Sequence, residues 1–209
     1  MTELFWRAYD YLAQGGWLMI PLAAASTAMW WLIIERLLHY RALSRGDVSI
    51  AKAIEMIRRG EDLKVWNHGL RIKLIGEFQE ERVGDPDIDV SALRMVSDRL
   101  RRELRKSLAV IAVLASVAPL LGLLGTVLGM IETFEVISMF GTGNAKAMAG
   151  GISVALVTTQ TGLLVSIPGL LLSGVLLRKA NQLTIRLEEI TQVLCRILRE
   201  DSPMKEGAA

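Results

Sequence analysis

One cysteine, two histidines and three long stretches almost empty of charge set the limits of this 209-residue chain. The lone Cys195 excludes an internal disulfide and thiol–disulfide work within the chain. His39 and His68 stand far apart along the chain and outside the apolar stretches, so they form no paired metal or haem site. No cofactor is expected. The sequence also lacks a nucleophile–base motif, a phosphate-cradling loop and any nucleic-acid motif. Gly122–Gly129 is glycine-rich but lies in an apolar run rather than after a strand. A free-standing enzyme and a nucleic-acid-binding protein are therefore both unexpected.

What the chain has in excess is apolar surface. Hydrophobic residues make up 52% and charged residues 22%, against roughly 45–50% and about 25% in soluble proteins. The excess is concentrated in Gly15–Ile34, Ser107–Ile131 and Ala147–Leu177. A bilayer core of about 30 Å needs roughly 20 apolar helical residues, so even the first and shortest of these stretches is long enough to cross one. Barrel strands, which alternate over about 10 residues, do not fit. The expected fold class is an all-α membrane protein with three transmembrane helices, two of them long and extending into a cytoplasmic helical region.

Basic residues orient the spans. Of the 24 Lys and Arg, 16 lie between Arg36 and Lys106 and six between Arg178 and Lys205; only Arg7 and Lys146 lie elsewhere. Because positive residues flanking a span stay in the cytoplasm, the N-terminus is expected outside and the C-terminus inside, with a short external hairpin near Ser138–Lys146. Four segments follow. Residues 1–40 hold the N-terminal periplasmic part and first span, and 41–106 a cytoplasmic helical segment. Residues 107–177 hold the second and third spans, and 178–209 a cytoplasmic helix and tail. The cluster Arg99, Arg101, Arg102, Arg105 and Lys106 reads as a topology anchor with snorkelling side chains; the alternative is an anionic-lipid site. The first span, despite Ala23-Ala24-Ala25, exceeds a signal-peptide core and ends on Trp30-Trp31 and Glu35-Arg36, so it reads as a retained helix that Pro21 bends near its outer end.

In the cytoplasmic segment, helical apolar spacing predicts helices over Val48–Gly60 and Asp62–Glu81. A third, capped by Asp89, is expected to enter the second span without interruption. After Leu177, the residues Leu183, Leu187, Ile190, Leu194 and Ile197 repeat at 4-3-4-3 spacing. That seam suits packing on the chain's own helices or on neighbouring subunits.

The two long spans each carry a face of small residues about 100° wide. On the second it holds Ala115, Ala118, Gly122, Gly125 and Gly129. On the third it holds Gly151, Ala155, Thr158, Gly162, Ser166, Gly169 and Ser173. Such faces let helix backbones approach closely in lipid, and Gly122, Gly125, Gly129, Gly151 and Gly162 are the expected packing residues. Pro119 and Pro168 are expected to bend their helices. Thr126 precedes Ser138 by the same stretch of chain that separates Ala147 from Thr159. An antiparallel pair therefore puts both hydroxyls about 18 Å below the outer end, near mid-membrane. There they either line a polar path, joined by Thr158 and Ser166, or bond to carbonyls of their own helices. No acid or base shares that depth; Glu132 and Glu135 lie farther out. A proton relay would need a titratable group from another molecule.

Two strings are distinctive beyond these patterns. Residues 118–131, APLLGLLGTVLGMI, and 150–169, GGISVALVTTQTGLLVSIPG, resemble the second- and third-span signatures of the MotA/TolQ/ExbB proton-channel family. Three spans resemble the ExbB and TolQ types rather than the four-span MotA type, and ExbB most. The resemblance implies a bacterial inner-membrane subunit, assembled as a homo-oligomer, most simply a pentamer. The ring would surround single-span, ExbD-like partners that supply a membrane aspartate, and energy would pass to a TonB-like protein. It also implies pore-facing roles for Thr126 and Thr159. Many ExbB and TolQ proteins carry a glutamate where this chain has Val154, which leaves hydroxyls, water and the partner's acid as the proton route. The alternatives are a TolQ- or MotA-like stator, or a scaffold that passes no ions.

Overall fold

The computed structural model describes residues 14–45, 49, 51–52, 55 and 69–200. The helix expected over Val48–Gly60, the start of that expected from Asp62, and the C-terminal tail fall wholly or mainly outside the described residues. Five α-helices hold nearly everything described: α1 (Met19–Ser44), α2 (Leu70–Glu81), α3 (Pro86–Arg105), α4 (Leu108–Phe140) and α5 (Ala145–Glu200). A single 3-10 turn, Gly141–Gly143, joins α4 to α5, and no strand occurs among the described residues. The chain divides into two compact units. One comprises the residues up to Ile34 with Ser107–Val175; the other comprises Glu35–Lys106 with the residues from Leu176 on.

The first unit has an inverted core. Along α4 the buried positions are Leu108 and Ile111 in the first turn and then Ala115, Ala118, Gly122, Gly125, Gly129 and Thr133. Along α5 they include Gly151, Ala155, Thr158, Gly162, Ser166 and Gly169. The large apolar side chains point away: Leu120, Leu123, Val127, Leu164 and Leu171 are all more than half exposed. Water-soluble proteins bury large side chains and leave small or polar ones outside. The opposite arrangement suits helices held together by close backbone packing, with another apolar medium or partner around them. Two stretches, Pro86–Gly143 and Ala145–Glu200, are long and apolar enough to cross a membrane. In their most apolar windows only 33% and 22% of the residues are buried.

α1 differs from the sequence expectation. Gly16 takes a left-handed φ of 68°, and the helix begins only at Met19. Sixteen helical residues, Met19–Ile34, then precede Glu35, about 24 Å of rise. Pro21 sits in the first turn, where a missing N–H costs little, so it marks the start of the helix rather than a bend within it. Met29 is fully buried, and a Cβ on Gly169 would meet its sulfur at 2.5 Å.

The second unit is packed in the ordinary sense. Phe78, Leu74 and Ile75 of α2 are fully buried, as are Leu93 and Val96 of α3 and Leu187 and Ile190 of α5. The 4-3-4-3 seam is buried through Leu194 within the single chain. Polar contacts tie it to α3: Thr191 Oγ1 to Ser97 Oγ at 2.9 Å, and Arg101 to Glu188 at 3.4 Å. Of the two packings open to that seam, the chain's own helices supply the one seen here.

Two local expectations are corrected. The cap of α3 is Asp85, whose carboxylate accepts from the amides of Asp87 and Ile88, with Pro86 opening the helix. Asp89 instead lies 2% exposed and accepts from the amides of Val83 at 2.9 Å and Gly84 at 3.1 Å and from Arg82 Nε at 3.2 Å. It fastens the α2–α3 loop. Nor does α3 run unbroken into α4. Ser107 adopts a left-handed conformation, φ 66°, a strain of about 1–2 kcal/mol for a residue with a Cβ.

That break frees the last carbonyls of α3, and α1 takes them up. Arg36 Nη1 donates to the Glu103 carbonyl at 3.2 Å and Tyr40 Oη to the Leu104 carbonyl at 2.6 Å. Both side chains are nearly inaccessible, and burial raises the Tyr40 phenol above its ordinary value. The Glu103 side chain accepts from Lys73 Nζ with both oxygens, at 2.8 and 2.7 Å. Burial alone would raise its pKa, but the Lys73 hydrogen bond and charge, with His39 and Arg36, hold it below the ordinary value. His39 Nε2 stands 3.8 Å from Glu103. Burial there outweighs the attraction of the carboxylate and lowers the imidazole pKa.

Candidate hydroxyl site between α4 and α5

The antiparallel α4–α5 pair is held at backbone contact by its glycines. A Cβ on Gly122 would lie 3.0 Å from the Thr158 carbonyl and 3.1 Å from Thr159 Cα. One on Gly129 would lie 2.5 Å from the Gly151 carbonyl, and one on Gly162 2.7 Å from the Ala118 carbonyl. Gly125 faces the Thr158 side chain, and Gly151 faces Thr133 and the Gly129 carbonyl. Every one of the five glycines singled out from the sequence thus stands where a methyl group would collide with the opposite helix. Both helices remain continuous through Pro119 and Pro168.

This register decides the surroundings of the four hydroxyl residues. Thr158 is fully buried and donates to the Val154 and Ala155 carbonyls at 2.8 and 3.1 Å. Ser166 is buried as well. Thr126 is half-buried and donates to the Leu123 carbonyl of its own helix at 2.6 Å. Thr159, also half-buried, is the one that reaches across, donating to the Gly122 carbonyl at 3.2 Å as well as to Ala155 at 3.0 Å. In an α-helix the Gly122 carbonyl also receives the Thr126 amide, so the two threonines share one acceptor. They are not level, however. Thr159 stands opposite Gly122, and Thr126 lies one helical turn farther along α4, about 6 Å by rise. Counting from the loop ends missed this offset, because the meeting of small residues, not the loop, sets the pairing.

The chemistry of this site is limited to hydrogen bonding. Glu132 lies exposed nearer the turn that joins α4 to α5, beside Gln14, Gly151, Ser153 and Val154 around a hollow of about 420 Å³. No group of three or more His, Cys, Asp or Glu side chains able to hold a metal occurs among the described residues. Hydroxyls and a shared carbonyl can pass or orient a proton but cannot store one at neutral pH. The sequence assigned Arg36 to an interfacial anchor and Asp89 to a cap, and gave Tyr40 no role; only the break at Ser107 and the turn at Gly84 create the groups these side chains satisfy.

The model of the MotA/TolQ/ExbB proton channel family matches residues 63–189, which include α2, α3, α4 and most of α5. The chain is similar to the biopolymer transport protein ExbB of Aquifex aeolicus, 44% identical over 92 residues that make up 44% of this chain and 62% of that protein. It is 31% identical over 188 residues to a putative ExbB-like biopolymer transport protein of Synechocystis, covering 84% of this chain and 73% of the relative. An ExbB of Pseudomonas putida is 27% identical over 205 residues, 91% of this chain and 62% of that protein. The matches thus span about six-tenths of the Aquifex and Pseudomonas proteins. A three-helix apolar unit built on small-residue contacts, matched over most of its length by one family model, permits one conclusion: the chain belongs to the MotA/TolQ/ExbB proton channel family.

Proposed function

We propose that this chain is an ExbB-like subunit of a motor in the bacterial inner membrane, driven by the proton-motive force and energising TonB-dependent transport across the outer membrane. Its apolar α1 segment serves as a third span, its N-terminus is periplasmic, and its second unit and C-terminus are cytoplasmic. Copies, most simply five, surround ExbD-like single-span partners whose membrane aspartate carries the proton, and a TonB-like protein receives the work. The chain itself is not an enzyme and requires no cofactor.

The observation that carries this reading is a carboxylate-free hydroxyl pair, Thr126 and Thr159, on helices whose large apolar side chains face outward. One proton crossing about 100 mV releases about 2.3 kcal/mol, so work must accumulate over several. A smooth wall without its own acid suits an acid carried by a partner and stepped from copy to copy.

Proton flux into vesicles, with and without the partner, tests the proposal. Flux is expected only with both components, and Thr159→Val is expected to reduce it while Thr159→Ser keeps it. Full flux in Thr159→Val refutes the hydroxyl route. One observation favours a non-conducting scaffold instead: the hydroxyls of Thr126, Thr158 and Thr159 already find carbonyls within the chain. No flux under any condition would establish that reading.

A further inference from the structure

The C-terminal two turns of α3 carry more positive charge than their surroundings neutralise. A hollow of about 670 Å³ is lined by Arg99, Arg101, Arg102, Glu103, Arg105 and Lys106. Arg99 is paired with Glu81 at 3.0 Å, Arg101 with Glu188, and Glu103 with Lys73. Arg105 contacts only the neutral Asn181 amide oxygen, at 3.3 Å. No acidic partner for Arg102, Arg105 or Lys106 occurs among the described residues. Three cations therefore line one hollow without an ion-pair partner, while Glu77, Glu81, Asp89 and Glu188 of the same unit are paired.

We propose that this hollow binds the headgroup of an anionic phospholipid of the inner leaflet. The charge-free run of the sequence begins at Ser107, directly after Lys106 and little more than one helical turn after Arg102. From Arg102 to Arg105, the last helical residue of α3, the chain rises about 4.5 Å, which fits within a headgroup layer of roughly 5–8 Å per leaflet. Arginine forks suit phosphate oxygens bidentately. The hollow's walls are largely aliphatic side-chain stems, which an acyl-glycerol can cover and a free phosphate cannot. The inference rests on the membrane-inserted reading above.

The test uses the full chain, reconstituted in discs of mixed phosphatidylglycerol and phosphatidylcholine, with the lipid that stays bound after extraction quantified. The wild-type protein is expected to retain phosphatidylglycerol about tenfold over phosphatidylcholine, relative to the bulk mixture. Arg102→Gln/Arg105→Gln/Lys106→Gln is expected to bring that ratio near one, with an unchanged helical spectrum. Arg94→Gln/Arg196→Gln, which removes charge elsewhere in the same unit, should leave it intact. Equal retention of both lipids by the wild type, an unchanged ratio in the triple variant, or displacement of the lipid by equimolar inorganic phosphate overturns the proposal. Failure to enter discs of either lipid overturns it together with the membrane reading, and is distinguished from failure of the site by that loss of insertion.

Discussion

Gly150 and Gly151 are neighbours on α5 and face opposite surroundings, so one substitution made at each tests the inverted core directly. A Cβ on Gly150 meets nothing within 4 Å. A Cβ on Gly151 would meet the Gly129 carbonyl at 2.5 Å and the Thr133 amide at 3.0 Å, with the Thr133 hydroxyl closer still. Two of those three neighbours are backbone atoms inside helices and cannot rotate away. To restore ordinary contact the helices must part locally by about 1 Å, a gap that forfeits a quarter to a half of each pairwise dispersion well along the seam. Overpacking of this kind costs about 1–3 kcal/mol, and the better helix propensity of alanine returns up to about 1 kcal/mol. Gly151→Ala is therefore expected to lose about 1–2 kcal/mol, whereas Gly150→Ala gains about 0.4–1 kcal/mol by restricting the unfolded chain. Equilibrium unfolding in mixed micelles, followed by helical circular dichroism and the midpoint of the denaturing detergent, separates the two. If both variants shift the midpoint in the same direction by similar amounts, the α4–α5 contact is not where the structure puts it.

Further outcomes concern the second unit. Tyr40→Phe removes the donor to the Leu104 carbonyl and leaves a buried acceptor unpaired, so unfolding free energy should fall by about 1–2 kcal/mol. Asp89→Ala deprives the Val83 and Gly84 amides of their acceptor and should cost about 3 kcal/mol, well above the cost of losing the exposed cap at Asp85; thermal melts of the two variants compare them. His39 has a lowered pKa, so the native state favours its neutral form and the unfolded chain binds the proton more readily. Its contribution is complete above the ordinary value of 6.5 and declines as pH falls below it. Stability measured from about pH 7.5 to about 5.5 should decrease, and His39→Gln should flatten that slope. The Glu103 contribution, from a carboxyl also held low, is lost separately as pH drops below 4.5.

Much of the first unit was legible because long apolar helices that pack on one another obey a simple rule. A small-residue face must pack, and no other part of those helices can approach as closely. Gly122, Gly125, Gly129, Gly151 and Gly162 all stood on such faces, and all lie against the opposite helix. The hydroxyl residues were less legible, since a threonine's spacing does not say whether it bonds to its own helix or to the next. Thr126 does the former and Thr159 both. The start of α1 was hidden because Gly16 and Pro21 each allow more than one local geometry. The break at Ser107 was hidden because nothing in residues 100–110 forbids a continuous helix.

Composition and periodicity alone determined that the chain is helical, that two of the three spans expected from it are helices long enough for a bilayer, which faces of α4 and α5 meet, and that no carboxylate lies among the central hydroxyls. These properties depend on residue type and on the 3.6-residue repeat, both of which are written along the chain. The register of α4 against α5, the seating of the 4-3-4-3 seam on α3, and the clamp of Arg36 and Tyr40 on the broken end of α3 were decided only by tertiary structure. Each depends on which carbonyl, methyl or charge arrives opposite another from a distant part of the chain. At the left-handed serine, an arginine and a tyrosine from another helix donate to the last carbonyls of α3.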